Sequence, residues 1–105
     1  MTDMRRMFAD AFEFNQPIGN WDTSLVMDMS YMFGNTQQFN QPIGDWDISS
    51  VMDMSYMFEY ATEFASDIRT WIVQIGANTV GMFSGAIAFL DAFTCPSVDG
   101  PPSEC

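Results

Sequence analysis

The stretch FNQPIGNWDTSLVMDMSYMF, residues 14–33, returns as FNQPIGDWDISSVMDMSYMF at residues 39–58, an offset of 25 residues. Set in rows of that length, residues 14–38 and 39–63 agree at 17 of 25 positions, whereas residues 64–88 agree with 39–63 at only 6. Those six decide the reading: Phe64, Ile68, Trp71, Met82, Phe83 and Ala86 are all apolar. The polar Asn40, Gln41 and Asp47 give way to Ala65, Ser66 and Ile72. The worn copy keeps what a stacked core needs and drops the rest. A fixed period of this kind marks units that bury their apolar faces only against one another.

Aligning the rows turns the chain into columns. One holds Met7, Met32, Met57 and Met82, and its neighbour holds Phe8, Phe33, Phe58 and Phe83. Phe14, Phe39, Phe64 and Phe89 form a third, Ile18, Ile43 and Ile68 a fourth, and Trp21, Trp46 and Trp71 a fifth. These residues are read as the core. A Met and aromatic stripe can also serve as an adaptable binding surface, and a tryptophan column as a recognition platform.

Within a unit, Met29, Met32, Phe33 and Thr36 fall at i, i+3, i+4 and i+7, which predicts a short helix. Met54, Met57, Phe58 and Ala61 repeat the pattern. Asp28 and Asp53 stand at the expected helix starts, where a carboxylate favours the positive end of the dipole, and Thr2 with Asp3 does so in the first unit. Pro17 and Gly19, like Pro42 and Gly44, mark a turn. WDTSLV and WDISSV then read as short extended segments. The expected architecture is an α/β solenoid of about three and a half turns, each a short helix, a turn and a short parallel strand. It spans 1–93, with repeats starting near Phe14, Phe39, Phe64 and Phe89 and the first unit partial; 94–105 is a Pro-rich C-terminal tail or cap. Because Met1 aligns with Val26, the chain reads as a piece of a longer array or as a partial gene model.

Composition narrows the function. The chain of 105 residues is 48% apolar and 15% aromatic, too rich in both for a disordered segment. Three Arg, no Lys and 14 acids give a net charge of −11. Such a chain repels nucleic-acid phosphates and anionic membranes, and it attracts cations or a basic partner. No apolar run approaches a membrane-spanning length. Cys95 and Cys105 sit in the tail, either as a disulfide of an oxidising compartment or as two free thiols.

Catalytic material is scarce. There is no His and no Lys, and no Ser sits in a GxSxG context. Asp45 and Asp47 lie two apart like a glycosidase pair, but they repeat a structural pair, Asn20 and Asp22. Asn15 with Asn40 and Gln16 with Gln41 are candidate amide columns that satisfy turn backbone. Asp3, Asp28 and Asp53 form one carboxylate column, and Asp22 and Asp47 another. Stacked like charges repel, so these carboxylates either cap turns in solvent or bind calcium between rungs. No EF-hand or glycine-rich calcium spacing is present.

The repeated stretch also resembles the BspA-type leucine-rich repeat region, a family of 25-residue repeats also classed as a domain of unknown function. The resemblance covers about residues 1–93. It implies a leucine-rich-repeat-like curved solenoid with one parallel strand per turn, in surface, secreted or lipid-anchored proteins of bacteria and marine eukaryotic microbes. Some members are adhesins for host matrix proteins, and none is an enzyme through these repeats. Two departures stand out. Met27 and Met52 replace a usual Thr cap, and WIVQIGANTVGMF has lost the Asp and Ser of the pattern.

The expected role is therefore a non-catalytic protein-binding or adhesion module at the cell surface or outside the cell. Its partner is a protein or another copy, with no nucleic acid and no membrane insertion. Candidate binding residues are Asp22, Thr23, Ser24, Asp45, Asp47 and Ser49, the polar positions of the extended segments. Two other roles are open. One is a self-assembling filament or coat element, joined through Phe89, Phe93 and the Met1–Phe8 helix. The other is a calcium-stabilised scaffold. No other cofactor is expected.

Overall fold

Backbone donors and acceptors one repeat apart meet across the molecule, so each 25-residue unit closes into one tier of a stack. A computed structural model describes residues 2–105. The N–H groups of Met29, Tyr31, Phe33 and Asn35 donate to the carbonyls of Asp53, Ser55, Met57 and Glu59 at 2.6–3.0 Å. The same four bonds join residues 4–10 to 28–34 and residues 54–60 to 78–84. We number the tiers by these segments: 3–27, 28–52, 53–77, and a last one from 78. Isolated parallel bridges Asp3–Asp28, Asp28–Asp53 and Asp53–Asn78 mark the common register.

The expected leucine-rich-repeat-like α/β solenoid is not formed. Among the described residues there is one short α-helix, α1 at Ile87–Phe93, and one turn of 3₁₀ helix at Pro102–Glu104. Among the described residues no strand forms beyond the isolated bridges. Over 30–35 and 55–60, where helices are expected, the chain makes successive turns. The expected Met1–Phe8 helix is also replaced by turns from Arg5 onward, and Met1 itself lies outside the described residues.

The physical reason is visible in the dihedrals. Tyr31, Asn35, Tyr56 and Tyr60 all have φ between 55° and 59°, and Arg6 and Asp10 repeat this in the first tier. A left-handed residue every fourth position breaks the i→i−4 ladder. Only i→i−3 bonds survive, such as Met32 N–H to the Met29 carbonyl. The intervening N–H groups turn along the stack instead, where a partner waits one period away. A helix of about nine residues is marginal alone, so the cross-tier bonds win. The expected strands fail for a related reason. Asp22 accepts from Ser24 N–H and Asp47 from Ser49 N–H at 3.0 Å, and these side-chain turns curl the segment out of an extended ladder.

The core is a double column of phenylalanines. Phe8, Phe33, Phe58 and Phe83 stack with centroids 5.7, 5.5 and 5.7 Å apart. Phe14, Phe39, Phe64 and Phe89 stack at 5.8, 5.9 and 5.7 Å. Met32, Met57, Met82, Ile18, Ile43, Ile68, Trp46 and Trp71 are buried beside them. Met7, Phe8 and Phe14 in the first tier are only half-buried, and Trp21 is 38% exposed against 4% for Trp46. Trp46 and Trp71 donate their indole N–H to the carbonyls of Ile18 and Ile43 in the tier before. Trp21 has no described tier before it.

Asparagines guide the backbone between tiers. Asn15 Oδ1 accepts from Asn40 N–H and Asn40 Oδ1 from Ala65 N–H, each at 2.9 Å. In the third tier the column holds Ala65, so Leu90 N–H finds no amide there. It bonds to the Ala86 carbonyl instead, and the chain winds into α1. Thr94 closes α1 in a left-handed conformation with φ 54°. Cys95 and Cys105 are joined by a disulfide. The tail they enclose folds over the last tier: Val98 O accepts from Phe83 N–H, and Asp99 Oδ1 from Gly81 N–H, both at 2.8 Å.

Candidate functional site

The six polar candidates occupy the short turns that follow the tryptophans. Asp22 accepts from the Ser24 hydroxyl at 2.6 Å as well as from its N–H, and Asp47 does the same with Ser49. These bonds hold both carboxyls below their ordinary value, the hydroxyl contributing most and the backbone N–H next. The Asp22 charge pushes Asp47 weakly in the opposite direction. Thr23 is buried, and its hydroxyl donates to the Asp47 carbonyl at 2.9 Å. It ties two tiers together and offers nothing to a partner. Asp22, Asp47 and Ser49 are exposed and Ser24 half-buried, with both serine hydroxyls and one carboxylate oxygen of each Asp engaged within the turn. Asp45 stands apart, on a shallow groove shared with Gly19, Pro42, Gly44, Ser66 and Asp67.

The carboxylate column at Asp3, Asp28 and Asp53 is spent in the same manner. Asp28 holds Ser30 and Asp53 holds Ser55 through N–H and hydroxyl, while Asp3 accepts from Arg5 N–H and pairs with its guanidinium at 3.2 Å. Asp67 holds Arg69 with two side-chain bonds, which lowers its carboxyl. Repulsion along the columns is thus met by local donors. Among the described residues, no group of three or more His, Cys, Asp or Glu is arranged to hold a metal ion. No described helix is long and apolar enough to cross a membrane.

A different surface emerges along the same turns. Leu25 is 67% exposed, Met27 56% and Met52 39%, and with Thr2, Ser50 and Gln74 they line one shallow depression of about 430 Å³. Ile72 and Ile75 on the third tier, at 82% and 97% exposure, line a neighbouring depression that shares Gln74. Sequence reasoning passed over these residues because it sought polar chemistry. The available signal was the pair Met27 and Met52, standing where the family pattern prefers a small polar cap.

Over residues 1–95 the chain matches the model of a family described as Mycoplasma protein of unknown function, DUF285. The chain belongs to the DUF285 family. No curated protein and no solved structure matches it. The DUF285 match takes in all the repeats and reaches Cys95; most of the tail lies beyond it.

Proposed function

We propose that this DUF285 chain is a non-catalytic protein-binding module that works outside the cell or at its surface. The observation that carries the reading is the exposed apolar ridge of Leu25, Met27 and Met52, which line one depression, with Ile72 and Ile75 exposed on the third tier. Contiguous exposed apolar surface on an otherwise acidic chain is the usual mark of a docking face. The methionines suit it to partners of varied shape. The polar turns beside it supply a charged rim. The Cys95–Cys105 disulfide supports an oxidising compartment. The absence of His and Lys supports a role without acid–base catalysis. The resemblance to BspA-type repeats adds the adhesin role, as a proposal about function alone and not about backbone.

The test is binding of the immobilised chain to a panel of extracellular-matrix proteins, beside a Leu25→Glu/Met27→Glu/Met52→Glu variant. The reading expects saturable binding to at least one panel member, with at least a tenfold loss in the variant, on the order of 1.4 kcal/mol or more. Binding that is unchanged in the variant, or none across the panel, overturns it.

A further inference from the structure

The chain has ten methionines, and the stack sorts them by exposure. Met4, Met29, Met32, Met54, Met57 and Met82 are buried, none more than 4% exposed. Met7 is half-buried, and Met1 lies outside the described residues. Met27 and Met52 stand apart at 56% and 39% exposure. They hold the same place in successive repeats, 25 residues apart. Around them Val26, Met29, Val51 and Met54 are all buried, at 0% exposure. The backbone of both residues is held in the stack. Met27 N–H donates to the Thr2 carbonyl and Met52 N–H to the Met27 carbonyl, each at 2.8 Å. The two side chains therefore stand on a fixed frame and line one depression with Thr2, Leu25, Ser50 and Gln74.

Sulfur chemistry singles out this pair. Cys95 and Cys105 are joined in a disulfide, and no free thiol remains among the described residues. A thiolate would otherwise compete for an oxidant. The accessible thioethers are the sulfurs left for a peroxide to reach. The six buried methionines meet it only when the stack opens locally, which well-packed columns resist.

We infer that Met27 and Met52 are a sulfoxidation site for hydroperoxides, and that their oxidation switches the exposed ridge from apolar to polar. The sulfur lone pair attacks the outer peroxide oxygen and forms the S–O bond as the O–O bond breaks. The leaving oxygen takes up the peroxide proton and departs as water or an alcohol. Each thioether loses two electrons, and the peroxide gains them. The sulfoxide is polar and chiral, and sulfoxide reductases return it to the thioether. Because both side chains lie outside the columns, the fold survives the change. The functional consequence rests on the proposed docking ridge. With both methionines oxidised, Leu25 is the one apolar side chain left lining the depression, so a partner held there by apolar contact is released.

Peptide mapping of the folded chain after limited hydrogen peroxide treatment tests the site. Met27 and Met52 are expected to gain an oxygen atom at least about tenfold faster than the six buried methionines, which wait on local opening. The Tm should not change. Hydrophobic-interaction chromatography then reads the surface without a partner. The oxidised chain should elute earlier, and treatment with both methionine sulfoxide reductases should restore its retention. A Met27→Leu/Met52→Leu variant, which keeps the surface apolar, should not shift under the same peroxide. Binding to the matrix panel should fall at least about tenfold on oxidation of the parent chain and hold in the leucine variant. Oxidation spread evenly over these eight methionines overturns the inference. So does a retention shift as large in the leucine variant, or panel binding that survives oxidation of both residues. Absence of binding by the reduced chain counts against the docking ridge and not against the site, which mapping and retention decide.

Discussion

The second and third copies of the repeat share a path but little sequence. Residues 39–63 carry the polar motif intact, and residues 64–88 keep only six of its positions. Yet Phe58 and Phe83 stack on the same column, and Tyr56 N–H and Tyr60 N–H reach the last tier as Tyr31 N–H and Asn35 N–H reach the third. What the copies share is the apolar columns and the two left-handed positions. At those positions the last tier has Gly81 and Gly85, with φ of 60° and 73°, in place of Tyr56 and Tyr60. The polar layer is local bracing that a tier can lose.

That comparison is most strongly broken at the columns. Phe58 is fully buried between Phe33 and Phe83 and also meets Phe64 and Trp71. Phe58→Ala should cost about 3–5 kcal/mol in denaturant unfolding. Phe8→Ala, in the half-covered first tier, should cost clearly less. Equal losses at the two sites would remove the distinction between inner and outer tiers.

Next comes the left-handed position of the last tier. A Cβ on Gly81 would lie 2.4 Å from Tyr56 Cε1, on a backbone with φ 60°. Gly81→Ala should therefore cost roughly 1–2 kcal/mol from the dihedral, before any movement of the ring. A thermal melt within error of the parent chain would contradict the assigned conformation.

Smaller effects follow in the polar layer. Asn40→Ala leaves Ala65 N–H without its acceptor, and the expected loss is about 0.5–1.5 kcal/mol. Ala65→Asn restores the motif in a tier where the next segment is already helical, and should stay within about 0.5 kcal/mol of the parent chain. A stabilisation as large as the Asn40 loss would mean that the bracing is still needed there.

The mildest effect is on pH dependence. Asp22, Asp47 and Asp67 are held below the ordinary carboxylate value of 3.8 by hydrogen bonds from Ser24, Ser49 and Arg69. Between the folded and unfolded values the unfolded chain binds more protons, so stability rises with pH there. Their contribution is full at neutral pH and is lost as pH falls below 3.8 through the folded values. All three are exposed, so the change is modest. Asp47→Asn should flatten the acid limb of a Tm-against-pH curve. A limb of unchanged steepness would show that Asp47 plays no part in it.

The columns were legible in the sequence because a fixed period places identical apolar residues on top of one another. The backbone between them was not. Met29, Met32, Phe33 and Thr36 have helical spacing, but spacing cannot tell a helix from consecutive turns whose N–H groups bond to another tier. The clue lay in the alignment of Asp10, Asn35 and Gly85, residues that tolerate a left-handed conformation, in one column. For the candidate site, the polar residues were visible but already occupied by their own turns. The apolar ridge was hidden because Leu25 and Met27 sit beside Val26, which is buried, and alternation alone did not say which would face solvent.

The central claim is that N–H groups in the Met-Phe segments bond across tiers and not within helices. Through-hydrogen-bond scalar couplings between backbone nitrogen and carbonyl carbon, in the isotope-labelled chain, test it directly. The account predicts couplings from Tyr31 to Ser55, from Phe33 to Met57 and from Asn35 to Glu59. A coupling from Phe33 nitrogen to the Met29 carbonyl, with helical carbon shifts over residues 28–36, would contradict it.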